Sequence, residues 1–376
     1  LELFPTGYGP ARQRFRETVK QLPGVVQGQI PVPNQAGQDL TVDYAVLPAT
    51  GQAKKMLVIS GGVHGAEGPM GSAAQQLFLE EYLPQVDRSQ TSVVLVHAYN
   101  PWGYEHNHRT AESNVDPNRN NLKDPEGFAN YPVGDYQVMA ETMSAQGPPP
   151  HTKWQSALGV AVGLGAAYFS LGRDLQRLIQ GLAEGQNQDA KGVLYAGLEY
   201  LPQRQPLLEA LKPHFEGVKQ VYHFDVHTGL GKRGVLHMID CTDAKDTQAA
   251  EQFVRPIEGQ GIEFTSPSSP GFYDSTKGDF TNNIEFLADP DAQVLTFTAE
   301  VGTLGQGLAA QIGTVYRLKE RNQLRFYENQ VSPEKKAAIL ERTSELFNPP
   351  DPVWRDSSIA HFRRLFDHSL QVLNQA

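Results

Sequence analysis

MLVISGGVHGAEGPMG, residues 56–71, carries an apolar run straight into a nest of glycines that holds a histidine and a glutamate three residues apart. The run MLVI has the unbroken hydrophobicity of a strand buried on both faces, and GPMGSAAQQLFLEEYL, 68–83, has the composition of a helix. A strand, a tight turn and a helix in that order belong to open α/β sheets, whose ligands collect beyond the carboxyl ends of the strands. Gly61, Gly62, Gly65 and Gly68 let the backbone turn sharply and come close to an ion, while His64 and Glu67 supply a neutral nitrogen and a carboxylate oxygen. Taken alone, the stretch reads equally well as a glycine-rich turn capped by Glu67.

Further β-rich runs occur at GVVQGQI (24–30), LTVDYAVL (40–47), SVVLVHAY (92–99), VYHFDVH (221–227), GVLHMI (234–239) and VLTFTAE (294–300). Helical patterns fall at 68–83, 171–184, 205–215, 307–323 and 359–373. Strands alternating with helices predict an α/β fold: an open, twisted, mostly parallel or mixed sheet with helices on both faces, forming one large unit over 1–376. The stretch 121–152 is dense in turn formers and predicts an excursion over the surface that could wall a pocket.

Lys and Arg number 32 against 42 Asp and Glu, a net charge of -10, which argues against nucleic acid or an anionic membrane as a partner. The single cysteine, Cys241, leaves no internal disulfide and no cysteine-rich zinc site, so a metal here has to be held by His, Asp and Glu. A cytoplasmic, reducing location is the expectation. The N-terminal LELFPTGYGPARQRF lacks the basic-then-apolar order of a signal peptide. The longest apolar run, LGVAVGLGAAYFSL (158–171), falls short of the ~20 residues of a bilayer span and reads as a buried helix or a packed loop.

A catalytic zinc site needs a third protein ligand, and His227 in VYHFDVHTGLG is the natural choice. Alternation puts His223, Asp225 and His227 on one face of that strand, with only His227 at its mouth. His223 is expected to be a satisfied core histidine. His106 with His108, and His361 with His368, lack a third ligand and read as structural or solvated, while His97 and His237 are expected to pack inside strands. No GxSxG elbow supports a serine hydrolase, and Cys241 lies in the polar DCTDAKD.

These residues resemble the zinc carboxypeptidase family of metallopeptidases, in which His-x-x-Glu precedes an Asn-Pro segment, a functional Arg, an Asn-Arg pair, a distant His after a strand, and a catalytic Glu. Here the series reads HGAE (64–67), NPWGYEHNHR (100–109), NVDPNRN (114–120), DVHTG (225–229) and TAEVGT (298–303). FPTGYGPARQRF and GTLGQGL are also similar to a prokaryotic branch of that superfamily whose function is unsettled. The resemblance implies a zinc carboxypeptidase-like domain holding one Zn²⁺ on His64, Glu67 and His227, with Glu300 as general base and Arg109 beside the developing oxyanion. It further implies Asn118 and Arg119 as receptors for a substrate carboxylate, Asp116 as the acid that orients His64, and Tyr273 as a residue that covers substrate. The region of about 121–220 has no counterpart in the family pattern and is expected to be inserted or specific to this branch.

HGAEG and DVHTG are closer to small-molecule deacylases of the superfamily, such as aspartoacylase and succinylglutamate desuccinylase, than to digestive peptidases. The expected substrate is therefore a small peptide or an N-acyl amino acid. A binding protein that keeps the scaffold without catalysis is the third reading, and it has no use for Glu300 or Arg109.

Overall fold

The computed structural model describes residues 3–131, 134–267, 269 and 277–375. Eight strands, β1 (Val26–Pro31), β2 (Thr41–Leu47), β3 (Lys55–Gly61), β4 (Thr91–His97), β5 (Gln220–Gly229), β6 (Leu236–Asp240), β7 (Ile262–Thr265) and β8 (Gln293–Gly302), form one open sheet in the order β1-β2-β4-β3-β5-β8-β6-β7. β4, β3, β5 and β8 run parallel to their neighbours in that series, and β6 pairs parallel with β7. The β1-β2, β2-β4 and β6-β8 pairs are antiparallel, so the sheet is mixed. The apolar runs of β3, β4 and β5 are buried almost throughout, as strands covered on two sides must be, whereas edge strand β1 alternates between exposed and half-buried positions.

Helices cover both faces. One core joins Leu57, Ile59, Leu95, Phe224 and Phe297 to side chains of the helices Tyr8–Lys20, Gly68–Leu77, Thr247–Val254 and Pro352–Leu373. The other joins Val58, Val94, Val96 and Val221 to the helices Arg204–Leu211 and Asn282–Leu287. The sheet register follows from this division, because a one-residue slip would exchange the two sets of side chains.

Four helices lie together away from the sheet: Tyr136–Met143, Lys153–Ser170, Leu175–Ala183 and Leu308–Tyr327 share a third core that includes Met139, Met143, Val160, Leu164 and Val315. The turn-rich 121–152 thus contains the helix Tyr136–Met143 in addition to loops. The run 158–171 is helical as expected but only one side of it is buried, since Leu158, Val162 and Phe169 are 64–65% exposed. Among the described residues no helix is long and apolar enough to cross a membrane.

Candidate metal centre

β3 ends at Gly61, and the chain turns through Gly62, whose φ of +65° suits glycine and whose hydrogen atom stands where a Cβ would sit 2.9 Å from the Cα of Ala98. The backbone then binds to a neighbouring loop: Gly65 N donates to Arg109 O at 3.3 Å and Ala66 N to His108 O at 3.0 Å. A Cβ on Gly65 would fall 2.0 Å from the carbonyl carbon of Gly103, so this close approach requires glycine. These contacts fix the short turn Gly65–Glu67 and with it His64 and Glu67, both buried.

β5 brings His227 to the same place. Its Nδ1 lies 3.2 Å from Nδ1 of His64 and 3.0 Å from Oε2 of Glu67, while Oε1 of Glu67 is 2.8 Å from Nδ1 of His64. The outer nitrogen of each ring meets a carboxylate: His64 Nε2 is 3.1 Å from Asp116 Oδ1, and His227 Nε2 is 2.7 Å from Asp225 Oδ2. Both imidazoles therefore present Nδ1 inward and have Nε2 held from behind, the arrangement that fixes ring orientation and tautomer in metal-binding histidines.

The donor set fits a small divalent cation. Nitrogen and oxygen ligands at the usual zinc distances sit about 3.3 Å apart around a tetrahedral ion, close to the separations above. His64, Glu67 and His227 are also the one His/Cys/Asp/Glu group among the described residues whose ligand atoms all lie within 4.8 Å of one another. Electrostatics agree. Burial pushes the Glu67 carboxyl up, but His64 and His227 outweigh it and hold the group at about 2. Burial pushes His227 down, yet Asp225 and Glu67 raise it well above the ordinary imidazole value. The carboxylates around His227 thus favour positive charge at the point where a cation would be held.

Glu300 reaches the site through the sheet, since β5 and β8 pair His227 directly with Glu300. Burial and then the Glu67 charge push its carboxyl up to about 8, and Leu230 N donates to its Oε1 at 2.8 Å. Arg109 binds Asp116 Oδ2 through Nη1, and its other guanidinium nitrogens have no hydrogen-bond partner among the described residues. Asp116 thereby joins His64 and Arg109, and burial, which would raise its carboxyl, is overcome by the Arg109 charge and the contact with His64.

Asn118 and Arg119 line the same cavity, of about 420 Å³, as His64, Glu67, His227 and Glu300. Arg119 is already engaged there: Nε and Nη2 donate to Ala183 O, and Nη1 donates to Asn118 O and to Asp279 Oδ1. Asn118 Oδ1 accepts from Phe280 N, leaving its amide nitrogen without a partner among the described residues. Tyr273 lies outside the described residues. Asp225 was not foreseen as a partner of His227, although its i, i+2 spacing had already placed the two on one face. The remaining histidines stand elsewhere: His223 meets Ser60 Oγ at 2.7 Å, His97 meets Ser72, and His237 meets Thr265.

The family described as "Protein of unknown function (DUF2817)" matches residues 4–361, and the chain belongs to it. No curated protein matches. The structure is similar to bovine thrombin-activatable fibrinolysis inhibitor in complex with tick carboxypeptidase inhibitor, at 12% identity and TM-score 0.49, covering 87% of this chain and 98% of that one. It is similar to a metallo-carboxypeptidase from Burkholderia cenocepacia, at 11% identity and TM-score 0.42, covering 85% and 69%. Succinylglutamate desuccinylase from Chromobacterium violaceum is similar at 12% identity and TM-score 0.37, covering 93% and 76%.

Proposed function

We propose that this member of the DUF2817 family is a zinc-dependent hydrolase that cleaves an amide bond in a small, carboxylate-bearing substrate. The reading rests on one observation: three metal-grade donors, two from the turn after β3 and one from β5, converge while the neighbouring strand β8 sets a buried carboxylate, Glu300, in register with the third. A divalent ion bound to that group supplies Lewis acidity and lowers the pKa of water to near neutrality. Glu300 accepts the proton of the attacking water and passes it to the leaving nitrogen, a transfer suited to a carboxyl lifted toward neutral pH. With a cation held by His64, Glu67 and His227, the Glu300 carboxyl would be ionised and able to take that proton. Arg109, anchored on one side by Asp116, turns its remaining donors to the cavity and stabilises the oxygen on which negative charge develops.

Asn118 supplies an amide donor for a substrate carboxylate, and Arg119 supplies charge, with the substrate taking the place of Asp279 on Nη1. The cavity volume favours a small amide, such as an N-acyl amino acid or a short peptide, over a long chain. Elemental analysis together with a panel of N-acyl amino acids and short peptides tests the assignment. The Glu300→Gln enzyme should keep its metal and lose roughly 10²- to 10⁴-fold in kcat. Unchanged turnover removes Glu300 from the reaction, and absence of bound metal in the wild-type protein removes the hydrolase reading.

A further inference from the structure

The helix Lys153–Ser170 presents an apolar row to solvent. Trp154, Leu158, Val162 and Phe169 are 75, 65, 64 and 64% exposed, and Gly159 and Ala166 lie exposed between them. The opposite side, with Val160, Leu164 and Ala167, is packed in the third core. A helix that is apolar all round belongs in an interior, and from Ala157 to Phe169 this one carries no charged residue and no polar one but Tyr168. We propose that a second copy of this chain covers the row, the two helices crossing about a twofold axis near Val162.

Four features favour that occupant. The i, i+4 spacing from Trp154 through Leu158 and Val162 to Ala166 forms a straight ridge of the kind that packs into the grooves of a facing helix. Gly159 has nothing within 4 Å of the position of a Cβ, so a neighbouring backbone can come close there. Taking about 150–250 Å² for a large side chain, the exposed row amounts to roughly 500 Å², enough for the apolar centre of an interface that takes roughly 800 Å² from each partner. The charge pattern points the same way. A chain of net charge -10 repels its own copies, yet no Asp or Glu occurs from 142 to 173, so the row itself brings no carboxylate to the contact.

A lipid surface fits less well. Helices that lie in a membrane interface keep a polar face rich in Lys and Arg, whereas here the face opposite the row is core and the molecule as a whole is anionic. Lys153 over the Trp154 ring and Arg173 over the Phe169 ring close the two ends of the row and lie at the rim of the contact. The covered helix rests on Tyr136–Met143 and Leu308–Tyr327, which contribute Met143, Val315 and Leu318 to the cavity wall, so association braces that wall from outside.

Sedimentation velocity of the full chain over a concentration series, without metal or substrate, tests the proposal independently of the hydrolase reading. The wild-type protein should sediment as a dimer, and Val162→Glu should raise the dissociation constant by roughly 100-fold through an unpaired charge in the contact. Trp154→Ala should weaken the dimer less, and because both side chains face outward, each variant should retain the wild-type circular dichroism and melting of the monomer. Iodide should quench Trp154 fluorescence more in the Val162→Glu protein than in the wild type. A wild-type monomer at every concentration, a dimer indifferent to Val162→Glu, or a monomer that sediments with vesicles of phosphatidylserine and phosphatidylcholine would overturn it.

Discussion

Replacing Asp225 by Asn tests whether the carboxylate behind His227 serves the metal. Asp225 is fully buried and stands 2.7 Å from His227 Nε2, while its other oxygen accepts from Ser60 Oγ at 2.6 Å. Asn keeps the shape and can still accept from the imidazole, with Ser60 turning its hydroxyl proton to His223 Nε2, already 2.7 Å away. What goes is one negative charge, across the imidazole ring from the ion. Over roughly 6.5 Å at an effective dielectric of 20, one unit-charge interaction is about 2.5 kcal/mol. A dication loses twice that amount, but the proton it displaces from His227 loses it once, so the net loss is about 2.5 kcal/mol. Zinc affinity at neutral pH should therefore fall roughly 70-fold, within the 10- to 100-fold range expected of such supporting carboxylates. Competition with a chelator of known affinity measures it. The pH dependence gives a second signature: His227 is held protonated well above its ordinary range, so wild-type affinity should rise about tenfold per pH unit through neutrality, and the slope should flatten in Asp225→Asn. A loss under about threefold, or a wild-type slope near zero, would refute the reasoning.

Three other outcomes follow from the same geometry. In the metal-free protein Glu300 has its carboxyl raised from 4.5 to about 8, so the folded state binds more protons than the unfolded one between those values. Stability should fall as pH rises through that window, and Glu300→Gln should remove much of the slope, as thermal melts from pH 5 to 8 will show. Arg119→Ala deletes buried hydrogen bonds to Ala183 O and Asn118 O and should cost about 1–3 kcal/mol in denaturant unfolding. It should also raise KM for substrates with a free carboxyl group and spare blocked analogues; equal effects on the two would remove the carboxylate role. Gly65→Ala drives a methyl group against the backbone of Gly103 and Tyr104 and should cost about 3 kcal/mol or more, with loss of metal binding, whereas a normal melt would mean that the turn can shift.

The parts of the molecule legible in sequence are those whose signal is local. β3, β4 and β5 announce themselves because burial on both faces demands unbroken apolar runs, and HGAE is conspicuous because a three-residue spacing brings two candidate ligands together at one turn. β7 is not legible in the sequence: IEFT is four residues long and lies at the sheet edge, too short for a period to show. The amphipathic helix Tyr8–Lys20 also went unread, with Tyr8, Ala11, Phe15 and Val19 on its buried side. The boundaries of the closing helix were short by seven residues, because Asp351 and Pro352 start it well before the apolar pattern becomes dense.

The site shows where local reading stops. Spacing places Asp225 and His227 on one face, but only the ring's rotation about its side-chain bonds decides that Nε2, not Nδ1, meets the carboxylate, and that rotation is set by Glu67 from the turn that follows β3. The pairing of His227 with Glu300 depends on a register between segments more than seventy residues apart, set by the two cores that sandwich the sheet. Arg119 is the converse case. Its identity suggests a free cationic fork, yet Ala183, from the helix Leu175–Ala183, and Asp279 occupy that fork, and neither belongs to the motif that singled Arg119 out. Residues 121–220 therefore shape the cavity directly: a segment with no motif of its own supplies the carbonyl that holds Arg119. On the proposed hydrolase reading, substrate preference would be sought in that wall, because His64, Glu67, His227 and Glu300 would fix only the class of chemistry.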